Sequence, residues 1–199
     1  MRLIGQYDSP FVRRVAIAMR LLGFDYQHLP WSVFADADKV AAYNPLLRVP
    51  TLVLDDGLAL GESHGILLYL ETVAGRSLWP DEGGAFASAL RIAGLATGAA
   101  DKAVSLVYEE LLHAHPSPQW IERCEAQISS ALDQLEATTV TGDALGHAEV
   151  AVACAWRFIT EAHSDRLDFG RWPQLAAHSQ RCELLPLFVE ISQSFRVSR

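Results

Sequence analysis

Pro50 stands directly before the apolar run Thr51-Leu52-Val53-Leu54, and a proline has no N–H to give to a strand interior. It therefore marks the entrance of a strand or an exposed edge. Behind it, Asp55-Asp56-Gly57 leads into Leu58-Ala59-Leu60, a turn signal between two apolar runs that reads as a hairpin. Ahead of it lies Asn44-Pro45-Leu46-Leu47-Arg48-Val49, a second proline and a lone cation in a stretch too irregular for either periodic structure. A closely specified strand entrance and the hairpin after it are the frame to which the other segments must fit.

The segments before it alternate in kind. Arg2-Leu3-Ile4-Gly5 is a short strand, and Ser9-Pro10 reads as a helix N-cap followed by proline at the first helical position. Val12, Val15, Ala16, Met19 and Leu22 then recur at helical spacing up to a stop at Gly23. Phe24, Tyr26 and His28 alternate with polar residues as in a second strand, and residues 35–43 suit a short helix. After the hairpin, Gly61-Glu62-Ser63 opens a third helix with Ile66, Leu67 and Leu70 inward, ending near Gly75. The order is βαβαββα.

From Leu78-Trp79-Pro80-Asp81-Glu82-Gly83-Gly84 onward the pattern changes, and every later periodic segment is helical. A long alanine-rich helix is expected from about Phe86 to His113, and Ser117-Pro118 caps a second. A third is expected from Gly146 to Glu161, Trp172-Pro173 opens a fourth, and Leu187, Phe188 and Ile191 mark a short last one. The expected division is an α/β domain over 1–77 and an all-helical domain over 84–199.

Net charge and cysteine usage narrow the function classes. A formal charge of -8 and a pI near 5.3 oppose general binding to nucleic acid or anionic membranes, which needs an extended cationic surface. The N-terminus lacks the apolar core of a signal peptide, and no run approaches the roughly 20 apolar residues of a membrane span, so the expected location is the cytoplasm. Cys124, Cys154 and Cys182 are far apart with no Cys-x-x-Cys pattern, which suggests buried small hydrophobes and no disulfide framework. His113 and His115 have no partner at ligand spacing, and no metal is expected.

A βαβαββα unit with Val49-Pro50 at its third strand, joined to a helical domain, resembles the cytosolic glutathione transferase superfamily. The matching residues are Ser9-Pro10-Phe11, Asn44-Pro45 with Val49-Pro50, and Glu62-Ser63 followed by Ile66, Tyr69 and Leu70. The resemblance implies a thioredoxin-like first domain that binds glutathione as co-substrate. It further implies a homodimer, and a second domain that helps seat a small hydrophobic electrophile, in a detoxifying conjugation. It makes Val49-Pro50 a cis bond whose valine backbone pairs with the cysteinyl unit of glutathione. Ser63 then holds the γ-glutamyl carboxylate, Glu62 meets the ammonium group, and Arg48 faces the glycyl carboxylate. Without the family, Ser63 is simply an N-cap, Glu62 a solvated neighbour and Arg48 an exposed loop charge.

For thiol activation the resemblance implies Ser9, whose hydroxyl at a helix start can favour thiolate over thiol. Tyr7 is the alternative, because other classes of the superfamily use a tyrosine at the end of the first strand. Tyr7, Phe11 and Tyr108 are the expected walls of the electrophile pocket. Of Arg13 and Arg14, on the first helix, one is expected to reach the domain boundary and the other water, and neither is assigned a catalytic role. Two departures stand out: Leu47-Arg48 replaces the family's usual Gly-Lys or Gly-Gln, and Gly146-His147-Ala148-Glu149 replaces a Ser or Thr cap, with Glu149 able to reach back to the Gly146 N–H. Two other readings remain open. One is a non-catalytic binding or adaptor protein of the same fold; the other is a glutathione-dependent isomerase, for which the Ser-Ser-Cys pattern at the helix start is missing.

Overall fold

A computed structural model describes residues 1–138 and 145–196; residues 139–144, and residues 197–199 at the end of the expected helical domain, lie outside the described residues. By internal contacts the chain forms two units. The first comprises Met1–Leu78 with the described residues from Leu185 onward, the second Trp79–Leu184. The sequence reading assigns everything after 84 to the helical domain, whereas the contacts group the last segment with the first unit.

The first unit contains β1 (Arg2–Ile4), α1 (Pro10–Leu21), β2 (Gln27–Leu29), α2 (Ala37–Ala41), β3 (Thr51–Val53), β4 (Ala59–Gly61), α3 (Ser63–Ala74) and, after the second unit, α8 (Pro186–Glu190). The expected βαβαββα order is present, with a four-stranded sheet in the order β2-β1-β3-β4. β2 runs parallel to β1, and β3 and β4 are antiparallel additions. The second strand is shifted from the expected alternation: Phe24 and Tyr26 precede it, and pairing starts at Gln27 opposite Arg2.

Each strand is only three residues long, so side-chain burial on both faces must hold the sheet. Leu3 and Leu52 are cross-strand partners, and both are fully buried. On the other face Ile4 and Val53 pack with Val40 of α2, joined by Leu29, Trp31, Tyr43, Val49 and Ala59. Each fully buried aliphatic of this kind is worth about 1.5–3 kcal/mol relative to exposure. α1 and α3 pack against each other, burying Val12, Val15, Ala16, Met19, Ile66, Leu67 and Leu70.

Local chemistry explains the element ends. Ser9 caps α1 by accepting from the Val12 N–H, with Pro10 at the first helical position. Gly75 closes α3 in the left-handed region at φ 64°, where a Cβ is unfavourable. At the β3–β4 turn the Gly57 N–H reaches the Leu54 carbonyl, and Asp56 accepts from the Leu58 N–H. The cap of α3 differs from the expectation. Glu62, not Ser63, is the N-cap, and its carboxylate accepts from the His64 and Gly65 N–H groups.

The second unit contains α4 (Gly83–Leu112), α5 (Pro118–Glu136), α6 (His147–Ala162) and α7 (Pro173–Glu183), with a short 3-10 turn at Phe169–Arg171. α4 packs against both α5 and α6, and α6 against α7. The contact surfaces are rich in alanine: Ala93, Ala96, Ala100 and Ala103 on α4 and Ala148, Ala151 and Ala153 on α6 are all buried. Ser117 accepts from the Trp120 N–H at the start of α5. As expected, Glu149 reaches back to the Gly146 N–H, at 3.0 Å. The Glu136 carboxylate of α5 caps α7 by accepting from the Gln174 and Leu175 N–H groups. Among the described residues no helix is long and apolar enough to cross a membrane.

Candidate functional site

The strand register decides where the expected site residues meet. Ile4 pairs with Thr51, and Thr51 with Gly61. Gly5, Pro50 and Glu62 each follow or precede one of these by a single residue, so the three turns that carry Ser9, Val49 and Ser63 leave the sheet at the same end. The Val49-Pro50 bond is cis, as the resemblance implies.

Gly5 lets two of these turns touch. Its φ is +127°, and a Cβ placed there would lie 2.5 Å from Val12 Cγ2 and 2.8 Å from Val49 Cβ, closer than carbon atoms can approach. A glycine is required on both counts. Val49 is thereby seated against the end of β1.

The loop before β3 is braced from below by Asn44, which is 7% exposed. Its Nδ2 donates to the Arg48 carbonyl and to Thr51 Oγ1, both at 3.0 Å, and its Oδ1 accepts from the Leu46 N–H. Thr51 Oγ1 donates to the same Arg48 carbonyl at 3.0 Å. Leu47 stands in the left-handed region at φ 52°, at the place where the family usually has glycine. The Arg48 side chain is exposed, while its backbone carbonyl is held by Asn44 and Thr51.

At the start of α3 the surprise is Arg14. It is 2% exposed and donates from Nη1 to Ser63 Oγ and His64 Nε2, both at 3.3 Å. Ser63 Oγ in turn donates to Glu62 Oε1 at 3.3 Å, and His64 Nδ1 meets the same oxygen at 3.2 Å. With Arg14 donating to Nε2, the His64 proton belongs on Nδ1, and the four side chains close a ring. Partial burial pushes the Glu62 carboxyl upward, but the hydrogen bonds from His64 and Gly65 outweigh it and hold the group below its ordinary range. Glu62 itself has φ 69°, a backbone region costly for a side-chain-bearing residue.

The expectation that one of Arg13 and Arg14 faces water is therefore corrected, while Arg13 meets the last segment, which the expected division gave to the helical domain. Both are buried inside the first unit, because each finds acceptors on a segment far away in sequence: α3 for Arg14, and the Phe188 and Ile191 carbonyls for Arg13.

Ser9 is partly exposed at the head of α1, with Oγ 3.4 Å from the Val12 nitrogen. Tyr7 is differently engaged. Its hydroxyl lies 2.8 Å from that of Tyr26, and its ring stacks on His28 at 3.8 Å between centroids, only 5° from parallel. Burial is the main reason the Tyr7 hydroxyl stands above its ordinary pKa, partly offset by the contact with Tyr26. Burial also raises Tyr26 and lowers His28, whose Nε2 meets the Gly5 carbonyl at 2.8 Å. Phe11 is partly exposed in the first turn of α1, and Tyr108, 38% exposed, is on α4 of the second unit.

Residues 3–77 match the family model of the glutathione S-transferase N-terminal domain, and residues 118–181 that of its C-terminal domain. The GST-like protein YibF of Escherichia coli, itself uncharacterised, is 31% identical over 164 residues, which are 78% of this chain and 80% of that protein. The chain belongs to the glutathione S-transferase family. Among solved structures, a glutathione transferase family member of Pseudomonas fluorescens Pf-5 with bound glutathione is 31% identical. It has a TM-score of 0.85 and covers 96% of this chain and 97% of its own. A glutathione S-transferase of Methylobacterium radiotolerans in complex with glutathione sulfonate is 26% identical with a TM-score of 0.88, covering 100% and 98%. The transferase fold expected from the motifs is thus the fold of the chain.

Sequence reasoning missed the roles of Arg14, Asn44 and Gly5, which hold the site rather than form its surface. Gly5 left a local signal as a glycine ending a strand, and Asn44 stood in the Asn44-Pro45 motif without a role; Arg14 left none.

Proposed function

We propose that the chain is an active glutathione transferase that joins the glutathione thiolate to small hydrophobic electrophiles. The observation that carries this reading is the convergence of the Ser9, Val49-Pro50 and Glu62-Ser63 turns at one end of the sheet. In it, Ser63 and its own backbone N–H receive the γ-glutamyl carboxylate at the start of α3, where the helix dipole favours an anion. The buried Arg14 beneath Ser63 adds positive charge at that point. Glu62 takes the ammonium group, the Val49 backbone the cysteinyl unit, and Arg48 the glycyl carboxylate.

Ser9 donates its hydroxyl to the sulfur and favours the thiolate, which attacks an electrophilic carbon; the new C–S bond forms as the leaving group departs with its electron pair. Supporting Ser9 over Tyr7 is the pairing of the Tyr7 hydroxyl with Tyr26 and its upward-shifted pKa, which ill suits an acidic hydrogen-bond donor. Tyr7 and Phe11 are the proposed electrophile contacts on the first unit. A homodimer working in the cytoplasm completes the reading.

The test is conjugation of a broad electrophile panel by wild type, Ser9→Ala and Ser9→Gly. Both variants should lose about 100-fold in kcat/KM and keep glutathione affinity, while Gly retains the helix cap better than Ala. A wild type that binds glutathione yet turns over no electrophile would favour the adaptor reading, and one that isomerises a cis-dienoic acid with glutathione unconsumed would favour the isomerase. A protein that is not stabilised thermally by millimolar glutathione would overturn the proposal.

A further inference from the structure

The segment after α7 lies along α1. Arg13, 2% exposed, donates from Nε to the Ile191 carbonyl at 2.8 Å and from Nη2 to the Phe188 carbonyl at 3.0 Å. The Phe188 ring lies 5.3 Å from its guanidinium carbon. Phe188 and Ile191 are themselves buried, at 0% and 1% exposure. A guanidinium at this depth is tolerated only where its donors find acceptors, and carbonyls at the end of the short α8 supply them. At the C-terminal end of α1 the Arg20 guanidinium meets Glu190 at 2.8 Å, an exposed pair of small energetic weight.

Beyond α8 the same segment reaches the other end of α1. The backbone N–H of Tyr7 donates to Gln193 Oε1 at 3.2 Å. Tyr7 is the middle of the turn between Gly5, which abuts Val49, and Ser9, which caps α1. Its ring is gripped by His28 and its hydroxyl by Tyr26; the Gln193 bond restrains the backbone itself. The contacts of Glu190, Arg13 and Gln193 thus run from the end of α1 to the turn before its start.

We propose that Gln193 is a positioning residue: the C-terminal segment, anchored on Arg13, fixes the Tyr7–Ser9 turn and thereby aims the Ser9 hydroxyl at the glutathione sulfur. The inference rests on the reading of Ser9 given above. A displacement of this turn by a fraction of an ångström would leave the γ-glutamyl and cysteinyl contacts on α3 and β3 in place. It would weaken only the interaction that stabilises the thiolate.

The experiment compares wild type, Gln193→Met, which keeps length but removes the acceptor, and Gln193→Glu, which restores an acceptor oxygen. Two quantities are read: the amide resonance and hydrogen exchange of Tyr7 without glutathione, and kcat with the thiolate absorbance of bound glutathione against pH. Gln193→Met should shift the Tyr7 amide, speed its exchange, raise the pKa of the bound thiol and lower kcat about 10-fold, with KM for glutathione within about two-fold. Gln193→Glu should restore the Tyr7 amide. An unchanged Tyr7 amide in Gln193→Met overturns the restraint, and a changed amide with wild-type kcat and thiol titration overturns its role in positioning Ser9. A wild type that leaves glutathione unbound overturns the functional reading instead, which the Tyr7 amide reports independently.

Discussion

The two units bury different polar side chains. The first conceals Arg13, Arg14, Ser32, Asn44, Thr51 and Ser63; the second conceals Thr97, His147, His163, His178 and Ser179. In the first, the buried groups tie turns to one another, as Asn44 does across the loop before β3 and Arg14 does between α1 and α3. None of them changes charge near neutral pH. In the second, two of the buried histidines pin helices through backbone carbonyls: His163 to Ala103 and His178 to Glu149. The fully buried polar groups of the first unit fix its loops without titrating, with the half-buried His28 at the Gly5 carbonyl as a proton-sensitive contact, whereas the second sets titratable side chains deep in its helix packing.

The largest effect is expected at Gly5. If the first unit depends on close approach of its turns, Gly5→Ala should cost about 3 kcal/mol or more, combining a forbidden backbone region with a clash against Val12 and Val49. Denaturant unfolding measures it, and a loss under about 1 kcal/mol would mean that the turns adjust freely. A smaller effect is expected at Asn44. Asn44→Ala removes the donor to the Arg48 carbonyl and Thr51 and the acceptor of the Leu46 N–H, worth about 2 kcal/mol together. Glutathione affinity should fall with it, since the Val49 backbone loses its support. Equal stability with unchanged affinity would show that Pro50 and Gly5 suffice to hold the loop.

These residues also mark where the sequence stopped being legible. Features that depend on neighbours a few positions away could be read directly: the Ser9-Pro10 cap, the Asp56-Gly57 turn, the Gly75 stop and the reach of Glu149 to Gly146 are all chemistry within four residues. What failed depends on distant returns of the chain. Nothing near Arg13 or Arg14 in sequence tells which of the two is buried, and both are, because α3 and the last segment supply acceptors. Glu62 displaces Ser63 as cap because the Ser63 hydroxyl is engaged sideways by Arg14 and Glu62. The grouping of α8 with the first unit has no sequence signal at all, since it rests on contacts with a helix about 170 residues earlier.

The smallest effect is expected from pH, in the helical unit. Burial is the chief cause that holds His163 below its ordinary value near 6.5, opposed by its hydrogen bond to Ala103 and by the charges of Asp165 and Glu125. Arg166 bridges Glu110 and Glu125. His163 Nε2 donates to the Ala103 carbonyl, and its Nδ1 is buried without a hydrogen-bond partner, so a second proton would enter a site that cannot solvate it. His178 is lowered for the same first reason. A group whose folded pKa is depressed leaves stability intact above its unfolded value and loses it as pH falls through the folded one. The helical unit should therefore weaken from about pH 6.5 downward, by at most about 1.4 kcal/mol per pH unit for each histidine. Replacement by a residue that keeps the Ala103 bond without titrating, His163→Gln, should flatten that slope between pH 7.5 and 5.5, whatever it costs at neutral pH. Helix melting followed at both pH values measures it. A slope identical to wild type would place the proton uptake elsewhere and remove the contrast between the units.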